Sequence, residues 1–518
     1  MKPYNMLILT LPLLLAGCSS NNSSSSIEAS NEVSEESEED SIISESVVTN
    51  PLTKNYYQLL VYAFSDSNND GIGDFKGIVN KLDYLSNLGI EGIWLSPINT
   101  CNCYHAYDVT DYYKINPSYE YDSYDYKYLL KECHKRGISV IMDLVINHTA
   151  KNHIWKTTHP SWYSNNDAFG GMSDLNYDNN EVKEEMKKVG QYWLKQGFDG
   201  FRLDAAMWLY NTKGNDASGV NHEKNYSYWN EWCDAMREVN PNCYIIGEVL
   251  NSNHDLSYQY AQAGFNSTFD FNVREHVYNG ITNNSYDYVG KTITDMNKAL
   301  KYNKNYILGR ALSNHDIGRF SQVHSGMADA DAYYFTDFNN LRLANALNIM
   351  MSGNTFIYYG DELGMSGTAN GAKANYYNDL NFRTPMPWAS SNGLTKSTKY
   401  FTDEVPGNKT TTTNTLSGKT AEEDAKNKSS LYSVMATLLN LKKNYNAIKS
   451  GTVKKLTKLT TGLKGYTLSD TKDTIAFVYN VSGSAKTYSY SGEVLYATST
   501  IKNNSLELAN KGFAVVKL

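Results

Sequence analysis

From residue 55 onward the chain alternates between short apolar runs and helix-like stretches, and no other feature restricts its possible folds as much. The apolar runs are 56–64 ("YYQLLVYAF"), 90–95 ("IEGIWL"), 138–146 ("ISVIMDLVI"), 200–203, 244–246, 266–271, 306–312 and 355–359 ("TFIYY"). Helix-like stretches at 75–88, 124–136, 181–196, 228–239 and 337–351 fall between them. Short continuous apolar runs read as strands buried on both faces, and strands separated by helices pair in parallel through crossover connections. Eight of them predict an α/β fold, a closed (β/α)8 TIM barrel, rather than an open sheet.

Two departures from the alternation mark further units. Roughly thirty loop residues separate "IMDLVINH" from the helix at 181, enough for an inserted subdomain over the barrel mouth at 147–178. After the helix "SLYSVMATLLNLKKNYNAI", short strands follow: "GYTLSD", "TIAFVYN", "GEVLYAT" and "GFAVVKL". They predict a C-terminal antiparallel β-sandwich over 448–518, with the barrel spanning 54–447.

The first 53 residues cannot build a core. Lys2 precedes "MLILTLPLLLAGC", which is too short to span a bilayer as a mature helix. Its end, Leu15-Ala16-Gly17-Cys18, resembles a bacterial lipoprotein signal, with 1–17 removed and Cys18 lipidated. The acidic, Ser-rich run over 18–53 then reads as a flexible tether. The folded part is expected on the extracellular face of the cell membrane, held by a lipid anchor; the alternative is a plain secreted chain with a disordered leader. The first 50 residues hold eight acids and one lysine, leaving 46 basic and 47 acidic side chains in the remainder. A near-neutral body without a basic stripe argues against a nucleic-acid partner, and a monomer is expected. Besides Cys18, the cysteines are Cys101, Cys103, Cys133, Cys233 and Cys243, an odd set suggesting neither a disulfide framework nor a zinc motif.

Active sites of such barrels gather at the C-terminal strand ends. The third strand ends in Asp143, Asn147 and His148, the fourth in Arg202 and Asp204, the fifth in Glu248, and the seventh in His315 and Asp316. In "GFDGFRLDAA", Arg202 and Asp204 are two residues apart and leave one face of a strand. A buried charge is costly unless paired, so a purely structural ion pair is one reading. Carboxylates, an arginine and histidines from four strands converging on one rim favour a catalytic one.

Here the chain resembles the α-amylase family, glycoside hydrolase family 13. The resemblance rests on "DLVINH" (143–148), "GFRLDAA" (200–206), "GEV" (247–249) and "NHD" (314–316), in that order. "MSDLN" (172–176), "YYGDELGM" (358–365) and "RTPMPW" (383–388) are also similar to family segments, and the resemblance covers roughly 55–518. It implies a retaining glycoside hydrolase with Asp204 as nucleophile, Glu248 as general acid/base and Asp316 as the carboxylate gripping sugar hydroxyls. Arg202 would favour the ionised form of Asp204, while Glu248 needs a raised pKa to serve as acid. His148 and His315 match hydroxyl-binding residues. In "YHAYDVTDYY", Tyr107 matches the aromatic floor of the central subsite, with His105 beside it.

The loop "DSNNDGIGD" places oxygen donors at alternate positions, Asp66, Asn68, Asp70 and Asp74, with the Ile72 carbonyl and a bend at Gly71. That is hard-cation logic, although Gly77 stands where an EF-hand has glutamate. The loop resembles the calcium loop of family members close to oligo-1,6-glucosidases; a capped turn is the other reading. The sequence departs from the family's patterns in two places. Met207 and Trp208 replace a Lys-His pair, which puts a second calcium near Asn147 in doubt and leaves Trp208 as a stacking surface for a leaving-group sugar or as packing. Tyr104 stands where exo-acting members carry aspartate, which favours an open cleft. The expected activity is cleavage of internal α-1,4 bonds in starch or maltooligosaccharides. The alternatives are an exo-acting α-glucosidase, an oligo-1,6-glucosidase or a transglycosylase, and a non-catalytic glucan-binding protein.

Overall fold

Eight parallel strands pair side by side and close into a barrel: β1 (Asn55–Leu59), β2 (Gly92–Leu95), β3 (Ser139–Leu144), β4 (Gly200–Leu203), β5 (Tyr244–Gly247), β6 (Ser267–Asp270), β7 (Gly309–Ala311) and β8 (Asn354–Tyr358). The computed structural model describes residues 53–164, 166–323, 333–370, 378–388, 410–502 and 504–518. The predicted signal peptide, Cys18 and all but the last residue of the predicted tether lie outside these residues.

The barrel interior is an aromatic plug. Tyr56, Trp94, Ile141, Tyr244, Ile246, Phe269 and Phe356, from six of the strands, pack into one buried cluster. The Tyr56 ring stacks on Tyr244 and on Phe356, with centroids 5.1 and 5.0 Å apart. Side chains alternate across a strand, so the plug sets the phase of the rim above it. Tyr244 and Ile246 point inward, and Glu248 continues their row. Gly200 is the inward residue below Arg202; a Cβ there would lie 1.9 Å from the Tyr244 carbonyl oxygen. Glycine therefore lets β4 and β5 approach where the arginine must enter.

Helices between the strands start on side-chain caps: Asp125 caps Tyr126–His134, Asn179 caps Asn180–Lys195, and Asp337 caps Phe338–Ile349. Each cap satisfies a backbone N–H of the first turn that has no intrahelical partner. Several boundaries differ from the sequence reading. The run 56–64 is not one strand: β1 stops at Leu59 and Val61–Phe64 is a helical turn. An unbroken apolar run carries no periodicity to separate the two. The stretch 75–88 is two helices, Phe75–Val79 and Leu82–Leu88, and the helix placed at 228–239 begins at His222. A hairpin, Asn99–Cys101 with Val109–Ile115, rises beyond β2 and carries Tyr107.

After β3 the chain forms a small sheet, His148–Ala150 antiparallel to Met172–Asp174. The C-terminal strands make a five-stranded and a three-stranded antiparallel sheet. Leu463, Val478, Tyr488, Leu506 and Leu508 from both sheets share one core.

Candidate active site

The site is built around Arg202, a cation shared by three carboxylates. Parallel register sets Arg202 on β4 directly beside Asp143 on β3. Its guanidinium lies 2.8 Å from Asp143, 2.6 Å from Asp204 and 3.5 Å from Glu248. Arg202 is 1% exposed and Asp143 is fully buried. The pair read from "RLD" is thus half of the arrangement, because Asp143 holds the same nitrogen across 59 residues of sequence.

Asp143 was legible as a strand-end residue but not as part of the site. It accepts hydrogen bonds from Trp94 Nε1 (3.1 Å) and Tyr107 Oη (2.9 Å) as well as from Arg202. Burial pushes its carboxyl up to about 7, with Arg202 pulling the other way. Glu248 accepts from the Ala205 amide at 2.9 Å. Ala205 holds a φ of 49°, uncommon for a residue with a side chain, and this turn follows Asp204 directly. Burial drives Glu248 up to about 8; Arg202 opposes it, and Asp204 and Asp316 add to it.

An acid must hold its proton to protonate a leaving oxygen. Glu248 does so below about 8 and loses it above. The alkaline limb of kcat/KM is therefore expected to fall through roughly that value, measured from pH 5 to 10. A limb lying near an ordinary carboxylate value would remove Glu248 from the acid role.

Asp316, on the loop after β7, pairs with Arg383 at 3.2 Å. Arg383, from "RTPMPW", also donates to the His315 carbonyl at 2.9 Å and pairs with Asp379 at 3.0 Å. Neither Arg383 nor Gln58 was singled out from sequence. Gln58 Nε2 donates to His315 Nδ1 at 2.7 Å, which assigns the ring proton to Nε2. That nitrogen faces Tyr107 Oη and Asp316 Oδ2, the latter at 3.2 Å. Burial and the cations Arg383 and Arg202 hold His315 well below the usual imidazole range, so it stays neutral.

The Tyr107 ring lies side by side with His315, centroids 5.3 Å apart and rings 5° from parallel, its Oη bonded to the imidazole. His105 lies beside it, the ring centroids 6.2 Å apart, its Nδ1 accepting the Tyr107 amide proton. His148 is buried, and its Nε2 lacks a well-formed hydrogen bond among the described residues. Phe169, from the inserted segment, packs between His148 (5.2 Å) and Trp208 (5.9 Å). Trp208 is half-buried and so combines packing with an accessible ring. Asp204, Glu248, Asp316, Arg202, His105, His148, His315 and Tyr107 thus share one hydrogen-bonded and stacked neighbourhood, with Trp208 at its border.

The oxygen-rich loop stands apart. Asp66 accepts from the amides of Asn69 and Gly71, and Asp70 from that of Ile72. Asp74 is fully buried and caps the helix Phe75–Val79, accepting from Ser67 and Gly77. Burial and nearby Asp66 push Asp74 upward, and only these hydrogen bonds offset them. A buried carboxylate among acidic and amide oxygens is a donor set suited to a hard cation. The three aspartates are not drawn together, however. Among the described residues, the one group of three His, Cys or acidic side chains with all ligand atoms within 4.8 Å is Cys103, His105 and Asp108.

Comparison with known proteins agrees with this geometry. The model of the α-amylase catalytic domain matches residues 58–169 and 156–451. "Alpha-amylase 3" of Dictyoglomus thermophilum is 29% identical, over 85% of this chain and 87% of its own length. Among solved structures, Eubacterium rectale Amy13B superposes with a TM-score of 0.75 at 25% identity, covering 91% of this chain and 96% of its own. The α-amylase from H.orenii gives 0.73 at 28% identity, covering 90% and 99%. With the barrel, the strand-end carboxylates and a family match running through most of the barrel, this chain belongs to the α-amylase family and is a glycoside hydrolase acting on α-glucans.

Proposed function

We propose that the protein cleaves internal α-1,4 bonds of starch-like glucans by double displacement, with Asp204 as nucleophile, Glu248 as acid and then base, and Asp316 as the third carboxylate. The observation that carries this reading is one buried guanidinium against Asp204 and Glu248, with Glu248 pushed to about 8. Arg202 balances the charge of the attacking carboxylate, while burial keeps the proton on the acid. Two carboxyl groups in opposite protonation states are what retention requires. Tyr107 offers its ring to the sugar, and His148 and His315 offer nitrogens to its hydroxyls. Endo action is supported at Tyr104, a buried tyrosine standing where exo-acting members of the family carry aspartate. Digestion of amylose, pullulan and isomaltose side by side tests the proposal. Mid-length maltooligosaccharides should appear first from amylose. Immediate glucose release without them would overturn the endo reading.

Calcium belongs to the same proposal. Asp66, Asn68, Asp70, Asp74 and the Ile72 carbonyl would hold it, and the ion would supply structural charge neutralisation for the loop after β1. Calcium at a hundredfold excess over its Kd should then stabilise the fold by about 2.7 kcal/mol. Asp66→Ala should abolish the calcium-dependent rise in Tm; a variant that keeps the whole response would exclude this loop. The lipid anchor at Cys18 suits a substrate too large to enter a cell, and fatty-acid labelling of wild type against Cys18→Ser checks it.

A further inference from the structure

We propose that Cys103, His105 and Asp108 form a binding site for a thiophilic divalent cation of the zinc class, and that occupancy of this site inhibits the hydrolase. The three residues lie in the hairpin loop that carries Tyr107, and one ligand atom from each lies within 4.8 Å of the other two. Spacing alone did not suggest zinc, because Cys-X-His-X-X-Asp is no standard motif; the tight loop brings the three together. A thiolate, an imidazole and a carboxylate are a soft-to-borderline donor set that favours zinc or cadmium over calcium or magnesium. Three protein ligands also leave a fourth position open.

The loop is already closed around this geometry. Asp108 accepts the amides of Asn102 and Cys103, each at 3.2 Å, so its carboxylate is anchored facing the cysteine. Ala106 holds a φ of 63°, which turns the chain between His105 and Tyr107. Cys101 plays a different part: its thiol donates to the Cys103 carbonyl at 3.4 Å and accepts from Asn116 Nδ2 at 3.5 Å.

Inhibition follows from what His105 touches. Its ring lies against Tyr107 and its Nδ1 holds the Tyr107 amide, while Tyr107 Oη bonds Asp143 and His315. A cation on His105 holds that ring and its bond to the Tyr107 amide in one position and so ties down the loop that carries Tyr107.

The test uses the full-length chain in calcium-containing buffer, titrated with zinc for activity and with cadmium for the thiolate charge-transfer band. Wild type should bind one cadmium per chain with a thiolate band, and one equivalent of zinc should lower glucan hydrolysis at least about ten-fold. Cys103→Ser should keep the metal-free activity, lose the band and weaken zinc inhibition at least about ten-fold. Cys101→Ser should behave as wild type in both assays. Equal zinc sensitivity in Cys103→Ser and wild type would overturn the proposal, as would a band that survives Cys103→Ser or is absent from wild type. The cadmium band needs no turnover, so failure of this site and failure of the proposed glucan activity are separable.

Discussion

Asp204→Asn should lose on the order of 10⁴-fold or more in kcat while keeping its fold, as measured with maltooligosaccharides and by thermal melting. An amide cannot form the glycosyl-enzyme bond that retention requires. The fold should survive because asparagine matches the shape of aspartate and Arg202 keeps Asp143 at 2.8 Å. Melting should stay within a few degrees of wild type. Activity within about ten-fold of wild type would reassign the nucleophile. Collapse of the fold would show instead that Asp204 serves chiefly as a structural counter-ion.

Removing the shared cation should have the largest effect on stability. Arg202→Met leaves Asp143 buried beside Asp204 and Glu248 without the charge that balances them. Breaking a buried ion pair on one side costs about 3–5 kcal/mol. The sign of its pH dependence follows from linkage. Asp143 and Glu248 already have folded values raised above the unfolded ones, to about 7 and about 8, with Arg202 opposing the rise. Without Arg202 both should rise further. A raised carboxylate keeps more protons folded than unfolded, so stability declines as pH climbs from the unfolded value through the folded one. The deficit of Arg202→Met should therefore be small near pH 4 and grow toward pH 9 in urea titrations. A deficit independent of pH would mean that Arg202 acts mainly by filling space against Trp94 and Tyr107.

The barrel was readable because its causes are local. Eight apolar runs separated by helix-like stretches have few ways to bury both strand faces, and parallel closure is one of them. The convergence of carboxylates at the rim was readable for a related reason. Strand period places Arg202 and Asp204 on one face, and barrel strands end at a common rim. Reading 56–64 as one strand failed because a continuous apolar run suits β1 and the helical turn after it equally well.

By itself, the order of residues determined the barrel's strands, the rim on which chemistry collects and the acids carried there, since each depends on neighbours within a few positions. Tertiary structure alone decided that Arg202 serves Asp143 as well as Asp204, that Arg383 reaches Asp316 across 67 residues, and that Phe169 meets Trp208. It also gathered Cys103, His105 and Asp108 while leaving the three aspartates of the 66–74 loop spread. Such pairings arise from strand register, barrel closure and loop path, which no local pattern encodes, and they set the charge and burial that decide which carboxyl group holds a proton.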